Sequence, residues 1–511
     1  MRTKKSLINI VVGIGGQLLG TVLSFVGRLI FIHYLSAAYL GINGLFTDIL
    51  GMLNLAELGI GSAMIFSMYR PAAEDDEKTL TALMNLYRKL YRYVAIFVLV
   101  AGLVLLPFLP RLIKDSSQVE HLQLIYLLYL GQAVCSYLLS YKNSIYQAYQ
   151  KAYIRVTWEQ IVRVVMLIAQ TVVLVLTRNF ILYLTIQVFA PVFVNLAVSL
   201  RVDRDYPYLK EDKKILPVAE EKKEIIKNIG ALSIHKVATV VVKGTDNLIM
   251  STFIGLSTVG IYSNYKLVLT NINYFAEKIC SALAGSVGNL GATEDSDKIY
   301  EVYKILDFAM FGLYGYVAGG LVVLFNLFIR LFFGESYLFS TSIVLVIVIE
   351  FYLSSSRRIN LQFREALGLF WQDRYKAVAE AIINLIASIL LVQKFGVAGV
   401  LGGTILSTLL TCFWAEPYIL MRYGIIEHWK TRLLDYFLNY GKRVLTVCAV
   451  VVCGRFVYRC LPDSNFLWFV ADGILYTCIY AFFICLVFGK SKEFQYLLKR
   501  AKNRLNKLRK R

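Results

Sequence analysis

Charged residues are scarce in this chain of 511 residues, of which 17% are charged and 58% are hydrophobic. A water-soluble protein of this size needs a far more polar surface. The composition therefore indicates that the surrounding solvent is a lipid bilayer. Prolines are also few, with eight in total, and together with 34 glycines they exclude a low-complexity chain.

Signatures of catalysis and metal binding are missing as well. The sequence has no GxxxxGK[ST] nucleotide-binding loop and no HExxH zinc motif, and its four histidines are scattered without ligand spacing. The eight cysteines lie in or next to apolar segments and form no CxxC pair, so we interpret them as small core side chains. No long loop is available for glycosyl transfer. These absences predict a carrier, not an enzyme, with no cofactor and no metal.

Long apolar segments take up most of the chain. Each is long enough to cross the hydrocarbon core of a bilayer, and the first is interpreted as a membrane helix because it is too long for a signal peptide. The sequence therefore predicts an all-α polytopic membrane protein. We predict about 14 membrane helices, at 7–34, 40–67, 93–113, 122–148, 157–177, 180–200, 229–254, 259–286, 303–328, 338–356, 377–393, 397–421, 443–461 and 465–489.

Lysine and arginine predict the orientation of these helices. Most of the 54 basic residues fall in loops that face the cytoplasm if the N-terminus lies there, which is the positive-inside pattern with both termini inside. The net charge of +20 then faces the anionic inner leaflet and implies no nucleic acid. Apolar residues recur at helical spacing in the basic tail, residues 490–511, which predicts an amphipathic helix on the inner membrane surface. A disordered basic tail is the alternative.

A weak internal repeat suggests two lobes. Residues 28–42, RLIFIHYLSAAYLGI, align with residues 247–261, NLIMSTFIGLSTVGI, so that Gly41 meets Gly260 at equivalent outer turns. Two parallel repeats of six helices are typical of transporters. We predict an N-lobe at 1–200, a cytoplasmic linker at 201–228, a C-lobe at 229–421 and two further helices at 422–489. The two lobes should be pseudo-symmetric.

Several ionisable residues lie inside the predicted spans. A charge at the bilayer centre costs about 3 kcal/mol, so such residues are expected to face one another or a water-filled cavity. The candidates are Arg28, Asp48, Lys236, Lys243, Asp246, Lys266 and Glu350. Two alternatives stay open: Arg28 and Asp48 as a structural ion pair, and Asp246 as a local partner that neutralises Lys243. Ordinary snorkelling to the inner interface explains Glu57, Arg163, Glu277, Lys278, Asp307 and Glu380.

Glycines recur along the first span. Gly16 and Gly20 form a GxxxG pair, and Gly27 follows. Such residues let helices pack closely or let one helix bend. Close packing is the simpler interpretation, and a hinge is the alternative.

Two stretches carry a family resemblance. Residues 27–93, from GRLIFIHYLSAAYLGINGLF to MNLYRKLYRY, and residues 243–268, KGTDNLIMSTFIGLSTVGIYSNYKLV, resemble the starts of the two lobes of Wzx-type polysaccharide repeat-unit flippases in the MOP exporter superfamily. The resemblance implies an alternating-access pair of six-helix lobes in the bacterial cytoplasmic membrane. It also implies an undecaprenyl-diphosphate-linked oligosaccharide as the cargo, flipped outward for capsule, O-antigen or wall polysaccharide, with polymerases and glycosyltransferases as possible partners.

The resemblance assigns roles to the candidate residues. Arg28, Lys236, Lys243 and Lys266 are expected to bind the diphosphate, and Asp48, Asp246 and Glu350 to carry H⁺ or Na⁺ for coupling or gating. Anionic membrane lipids are expected at the basic surfaces. The last two helices also resemble the extra pair of lipid II flippases, which stays an alternative. A MATE-like drug or cation antiporter is a second alternative, and a membrane polymerase or glycosyltransferase a third.

Overall fold

The computed structural model of the protein describes all residues except 1, 58–59, 115, 211–214, 220–221, 224, 227–228, 230–243, 370, 374, 459–465 and 510–511. The described residues form helices and turns, and none of them lies in a strand. This confirms the predicted all-α class. The chain divides into two compact units, Met1–Ser263 and Asn264–Arg511.

The first unit is a helical bundle. Its helices are α1 Arg2–Tyr34, α2 Ala37–Leu53, α3 Ile60–Glu74, α4 Glu77–Leu105, α5 Leu109–Leu112, α6 Leu122–Ser140, α7 Asn143–Ala148, α8 Tyr153–Thr177 and α9 Phe180–Asp205. Residues 244–253 add a further helical segment, and the first residues of α10, which begins at Leu256, also belong to this unit.

Polar side chains at helix ends explain two of these boundaries. The predicted break between the fifth and sixth spans lies between α8 and α9, where Arg178 adopts the left-handed conformation and the Asn179 side chain accepts bonds from the first turn of α9. By contrast, α4 begins well before the predicted span at 93–113. The Asp76 carboxylate caps it by accepting a hydrogen bond from the backbone N–H of Thr79 at 3.0 Å. Hydrogen bonds from the side chain and the backbone of Thr79 lower the pKa of Asp76.

The repeated stretches meet each other within the first unit. A Cβ added to Gly41 would lie 2.0 Å from the carbonyl oxygen of Leu256, and one added to Gly260 would lie 2.0 Å from that of Ala37. Leu256 follows Ala37 by the same 219 positions that separate the two glycines. The contact is therefore reciprocal, and only glycine permits so close a crossing. This geometry supports the alignment of the two turns, while the lobe boundaries at 200, 228 and 421 stay a prediction.

The second unit is also a helical bundle. Its helices are the remainder of α10 Leu256–Thr293, α11 Ser296–Phe333, α12 Thr341–Ser356, α13 Arg358–Ala366, α14 Lys376–Phe395, α15 Val397–Leu410, α16 Cys412–Ile419, α17 Trp429–Tyr458, α18 Phe466–Phe488 and α19 Lys492–Arg509. A π-helical turn, Leu420–Ile425, follows α16.

The two helices after the predicted C-lobe pack firmly against α11. The Tyr476 hydroxyl donates to the carbonyl oxygen of Tyr316 at 2.6 Å, and the Tyr480 hydroxyl donates to that of Gly312 at 3.1 Å. In lipid, such bonds satisfy hydroxyl groups that water cannot reach. The predicted tail helix is α19, and Phe494 and Leu497 at its start pack on a buried cluster that contains Phe308. Its position on the membrane surface stays a prediction.

The number of spans differs from the prediction of 14. Among the described residues, ten helices are long and apolar enough to cross a membrane. The predicted span 40–67 is interrupted by the 3₁₀ turn Asn54–Glu57 between α2 and α3, and α12 has only 16 residues. Most of the predicted span 229–254 lies outside the described residues. The multi-pass membrane architecture holds, and the count of 14 is not confirmed.

Candidate functional site

A cavity of about 910 Å³ lies inside the first unit. Helices α1, α2, α3, α4, α6, α7, α8 and α9 all contribute to its wall, and so does the 3₁₀ turn Asn54–Glu57. Non-helical backbone at membrane depth is tolerated where it is buried in protein or lines water. The interruption between α2 and α3 therefore fits a polar, hydrated cavity.

Charged and hydrogen-bonding side chains dominate the wall. Among the described residues, five ionisable groups other than tyrosine line the cavity, namely Arg28, Glu57, Arg155, Glu159 and Arg163. Serine, asparagine, glutamine and tyrosine side chains fill much of the remaining surface. With three arginines and two glutamates, this group of side chains has a formal charge of about +1 when each is ionised. Such a lining suits a polar and anionic ligand better than an apolar one.

Helix α8 presents a long polar face to the cavity. Arg155, Glu159 and Arg163 follow one another at intervals of four residues, and Gln170 continues the face, as expected for one side of a helix. Arg155 Nε and Glu159 Oε1 are 2.7 Å apart, in a pair whose side chains keep about a third or more of their surface exposed. At roughly 1.5 Å of rise per residue, the face from Arg155 to Gln170 extends for about 22 Å.

Three glycines of α1 pack closely against α8. A Cβ on Gly16 would lie 2.9 Å from Val156, one on Gly20 would lie 2.1 Å from the Nη1 atom of Arg163, and one on Gly27 would lie 3.1 Å from Leu167. Close packing is therefore the role that the structure gives these three glycines. Gly13 and Gly15, on the same helix, have no atom within 4 Å of an added Cβ among the described residues.

A tyrosine pair holds the carboxylate at the helix interruption. The Tyr91 hydroxyl donates to Glu57 Oε1, and the Tyr87 hydroxyl donates to that of Tyr91 at 3.0 Å. The 3₁₀ turn carries Glu57 into reach of α4 because α2 ends at Leu53. Glu57 therefore keeps its place in the cavity wall through neutral hydroxyl donors.

Two asparagines leave acceptor oxygens without a protein partner. Asn143 is 3% exposed and donates to Asn195 Oδ1 at 3.3 Å, yet its own Oδ1 atom is buried and unsatisfied among the described residues. The same holds for Oδ1 of Asn54. Buried polar atoms rarely remain unpaired, so water or a bound ligand is expected to supply donors here.

The structure places Arg28 and Asp48 at the crossing of the repeated stretches. Arg28 lines the cavity, and its Nη1 atom donates to the Ser263 hydroxyl at 2.8 Å. Asp48 Oδ2 accepts from the Asn247 side chain at 2.6 Å. Arg28 is thus bonded to α10, and Asp48 is bonded to the helical segment 244–253. The sequence analysis had weighed a mutual ion pair of Arg28 and Asp48 against roles in diphosphate binding and coupling.

The remaining predicted residues that the structure describes do not line this cavity. Lys236 and Lys243 lie outside the described residues. Asp246 is half-buried in the helical segment 244–253 of the first unit. Lys266 on α10 and Glu350 on α12 are half-buried in the second unit. Among the described residues, no group of three or more His, Cys, Asp or Glu side chains is placed to hold a metal ion.

Sequence reasoning assigned Glu57 and Arg163 to the inner interface and gave no role to Arg155 or Glu159. All four line the cavity. The signal that points to the α8 residues is their spacing of four, which places three charges on one helix face. Glu57 carries no such signal, because its position depends on the interruption of a helix that the apolar pattern predicts to be continuous.

The second unit holds a cluster of charges of a different kind, which we call the ion network. Among the described residues, its largely buried members are three cations and three anions, Arg357, Arg364, Asp373, Lys376, Glu380 and Glu416. The exposed Glu365 also lies 3.5 Å from Arg364. Arg357 Nη2 lies 2.6 Å from Glu416 Oε1 and Arg357 Nη1 lies 3.2 Å from Glu380 Oε1, and Lys376 Nζ lies 3.1 Å from Asp373 Oδ2. The Glu416 side chain is 1% exposed.

Sequence comparison places the chain in one family. The family model described as "Polysaccharide biosynthesis protein" matches residues 6–284, more than half of the chain. No curated protein sequence matches significantly.

Solved structures are similar in fold. A structure of the lipid II flippase MurJ, in an inward closed conformation, covers 94% of this chain and 99% of its own, with 14% identity and a TM-score of 0.63. An inward-facing MATE-family multidrug resistance transporter of the MOP superfamily covers 80% of this chain and 96% of its own, with 15% identity and a TM-score of 0.64. A structure of the MATE transporter VcmN of Vibrio cholerae covers 83% of this chain and 99% of its own, with 14% identity and a TM-score of 0.56. At these identities, the similarity concerns the fold alone.

Proposed function

Because the chain belongs to the polysaccharide biosynthesis protein family, we propose that it flips undecaprenyl-diphosphate-linked oligosaccharide repeat units across the bacterial cytoplasmic membrane. The cargo would move from the inner to the outer leaflet for assembly of capsule, O-antigen or another wall polysaccharide. Polysaccharide polymerases and glycosyltransferases would supply and use this cargo, and anionic lipids would surround the basic inner surface. The protein then acts as a carrier and performs no covalent chemistry.

The cavity of the first unit is the observation that supports this proposal most directly. Its volume of about 910 Å³ lies near the upper end of the roughly 300–1,000 Å³ typical of ligand sites. Sugars present many hydroxyl groups, which the amide and hydroxyl side chains of the wall match. A diphosphate adds negative charge, and a membrane protein must shield that charge from hydrocarbon. The three arginines of the wall meet that need.

Cations elsewhere would complete the path of the diphosphate. We assign this role to Lys236, Lys243 and Lys266, which the sequence places, together with Arg28 of the cavity wall, at successive depths of the predicted spans. Lys243 is expected nearest to the midplane. The isoprenoid tail stays in lipid while the charged head moves, as in an alternating-access cycle.

An ion gradient would drive the cycle. Asp48, Asp246 and Glu350 are the carboxylates that we assign to H⁺ or Na⁺ coupling or to gating. Moving one charge through the membrane potential is worth about 2.3 kcal/mol per 100 mV. Asp48→Asn, Asp246→Asn and Glu350→Gln are each expected to make transport less sensitive to an imposed gradient.

A lipid II flippase is the second candidate. The observation that favours it is coverage, since the MurJ structure covers 94% of this chain and the MATE structures cover 80% and 83%. Helices α17 and α18 lie at the end of the chain, where this difference can arise. A MATE-like antiporter for cationic drugs is less consistent with the cavity, because the arginines outnumber the glutamates in its wall.

The experiment is reconstitution of the full chain in liposomes with a fluorescent polyprenyl-diphosphate oligosaccharide. Outward flipping of this lipid, with lipid II as the competing substrate, separates the two flippase candidates. Lys243→Ala should abolish flipping while the protein still folds and inserts. Lys243→Arg should retain part of the activity, because charge matters more than shape for a mobile diphosphate. Absence of flipping by the wild-type protein would refute the proposed function.

A further inference from the structure

We propose that Arg163 is a diphosphate-binding residue of the cavity and that Gly20 is the residue that positions it. The inference rests on the proposed function and names a contact within it. Sequence reasoning had assigned Arg163 to the inner interface. Three observations on α1 and α8 support a role in the cavity. They concern the position of the guanidinium, its partners and the surface against which it lies.

The first observation is the place of the side chain. Arg163 lines the cavity, and it lies about 15 Å along α8 from Tyr153, where that helix begins, at roughly 1.5 Å per residue. Because an arginine in hydrocarbon costs about 2.5–3.5 kcal/mol, a guanidinium within a membrane helix is expected to face polar groups or water. The cavity provides the polar surroundings.

The second observation is the lack of a counter-ion in the protein. Across the described part of the chain, no carboxylate lies within ion-pair distance of Arg163. The two glutamates of the cavity wall are engaged elsewhere, because Glu159 is paired with Arg155 and Glu57 accepts from Tyr91. The positive charge of Arg163 is thus available to an anion that enters the cavity.

The third observation is the surface on which the guanidinium lies. Nη1 of Arg163 is 2.1 Å from the position that a Cβ on Gly20 would occupy. The planar guanidinium therefore lies directly over the backbone of α1, where any side chain at position 20 would displace it. Because the guanidinium is the far end of a flexible side chain, such displacement moves the charge without requiring the two helices to separate.

Arginine suits this task better than lysine. Its planar fork places two N–H donors in parallel, which matches the oxygens of a phosphate group. With its Nη1 end against α1, the fork is held in fewer orientations, and less entropy is lost when the anion binds. Arg163→Lys is therefore expected to bind a diphosphate more weakly than the wild-type protein while still preferring it to a neutral lipid.

The experiment measures binding of farnesyl diphosphate, with farnesol as the uncharged control, to the full chain in detergent. Arg163→Gln should weaken binding of farnesyl diphosphate by about 10- to 100-fold, as expected for hydrogen bonds to a charged group, and leave binding of farnesol unchanged. Gly20→Ala should also weaken binding of farnesyl diphosphate, although Arg163 is still present. Gly15→Ala, on the same helix with open space around it, should bind like the wild-type protein.

The double variant Gly20→Ala with Arg163→Gln tests the positioning role. If Gly20 acts only through Arg163, the double variant binds farnesyl diphosphate no more weakly than Arg163→Gln alone. Additive losses would contradict the positioning role, because Gly20 would then act on the fold. Thermal unfolding of each variant, measured in parallel, identifies any general loss of structure. If Arg163→Gln unfolds, binding of farnesyl diphosphate by Arg163→Lys tests the role of Arg163 instead.

The outcomes separate this inference from the proposed function. Unchanged binding of farnesyl diphosphate by Arg163→Gln overturns the inference, and so does equal binding of farnesyl diphosphate and farnesol by the wild-type protein. Either result can coexist with outward flipping of the lipid-linked oligosaccharide by wild-type liposomes, which would leave the proposed function standing. Failure of that flipping refutes the function, whatever the binding measurements show.

Discussion

The cavity of the first unit and the ion network of the second unit contain the same kinds of charged side chain in opposite surroundings. In the network, Glu416 is 1% exposed and is bonded to two cations, Arg357 and Lys376. In the cavity, Glu159 keeps 34% of its side chain exposed and pairs with a neighbour one helical turn away. The network balances its charges within the protein. The cavity leaves Arg163 without a carboxylate partner among the described residues.

This difference decides what each cluster can do. A buried group that loses its partner becomes an uncompensated charge in a medium of low polarity, so a closed network contributes to the fold and resists change. A group beside a hydrated cavity can exchange one partner for water or for a ligand at little cost. Membrane depth alone therefore does not identify a transport site. The contrast can be tested by substitutions of similar chemistry in the two places.

The largest effect is expected for Glu416→Gln. The substitution leaves Arg357 and Lys376 buried with one negative charge fewer, and breaking a buried pair in this way typically costs about 3–5 kcal/mol. The free energy of unfolding in detergent measures the loss. Glu427→Gln is the control, because Glu427 is exposed in the same unit. A stability equal to wild type would show that water reaches the network.

A smaller loss is expected for Gly41→Ala, at a contact in the first unit that has no room at all. The new Cβ would lie 2.0 Å from a backbone oxygen of Leu256, which cannot move aside as a side-chain end does. Overpacking of this kind costs about 1–3 kcal/mol. The measurement is again the free energy of unfolding, with Gly51→Ala on the same helix as the control, since an added Cβ there has open space. Equal stabilities of the two variants would contradict the close crossing.

Tyr91→Phe is expected to have a modest effect. It removes the donor to Glu57 and the acceptor for Tyr87, but water in the cavity can satisfy both groups. The expected loss is about 0.5–1.5 kcal/mol, the net value of an ordinary hydrogen bond, in the free energy of unfolding. A decrease of several kcal/mol in the free energy of unfolding would mean that water is excluded from this wall as it is from the ion network.

The smallest effect is expected for Glu159→Gln, the counterpart in the cavity of Glu416→Gln. The pair with Arg155 is partly exposed, and such pairs contribute about 0–1 kcal/mol. Unfolding measured beside Glu416→Gln gives the comparison directly. Equal losses in the two variants would show that the cavity charges serve the fold in the same way as the network charges.

The sequence predicted the class of the protein well and the surroundings of its charges poorly. Apolar segments predicted the helices, and the break near Arg178 was recognised because the polar residues at 177–179 divide a long apolar stretch. The place of Glu57 in the cavity wall was not predicted, because an apolar pattern does not reveal that a helix stops at Leu53. The place of Arg163 was not predicted, because snorkelling and cavity lining give the same local sequence, a charge among apolar residues.

By itself, the sequence determined that this protein is a multi-pass helical membrane protein with a basic charge, and it identified the two stretches that meet at Gly41 and Gly260. These properties follow from composition and spacing, which act along the chain. Only the tertiary structure decided that Arg163 faces a cavity and that Glu416 is closed within a network. The surroundings of a side chain depend on the helices packed against it, and those helices come from distant parts of the sequence.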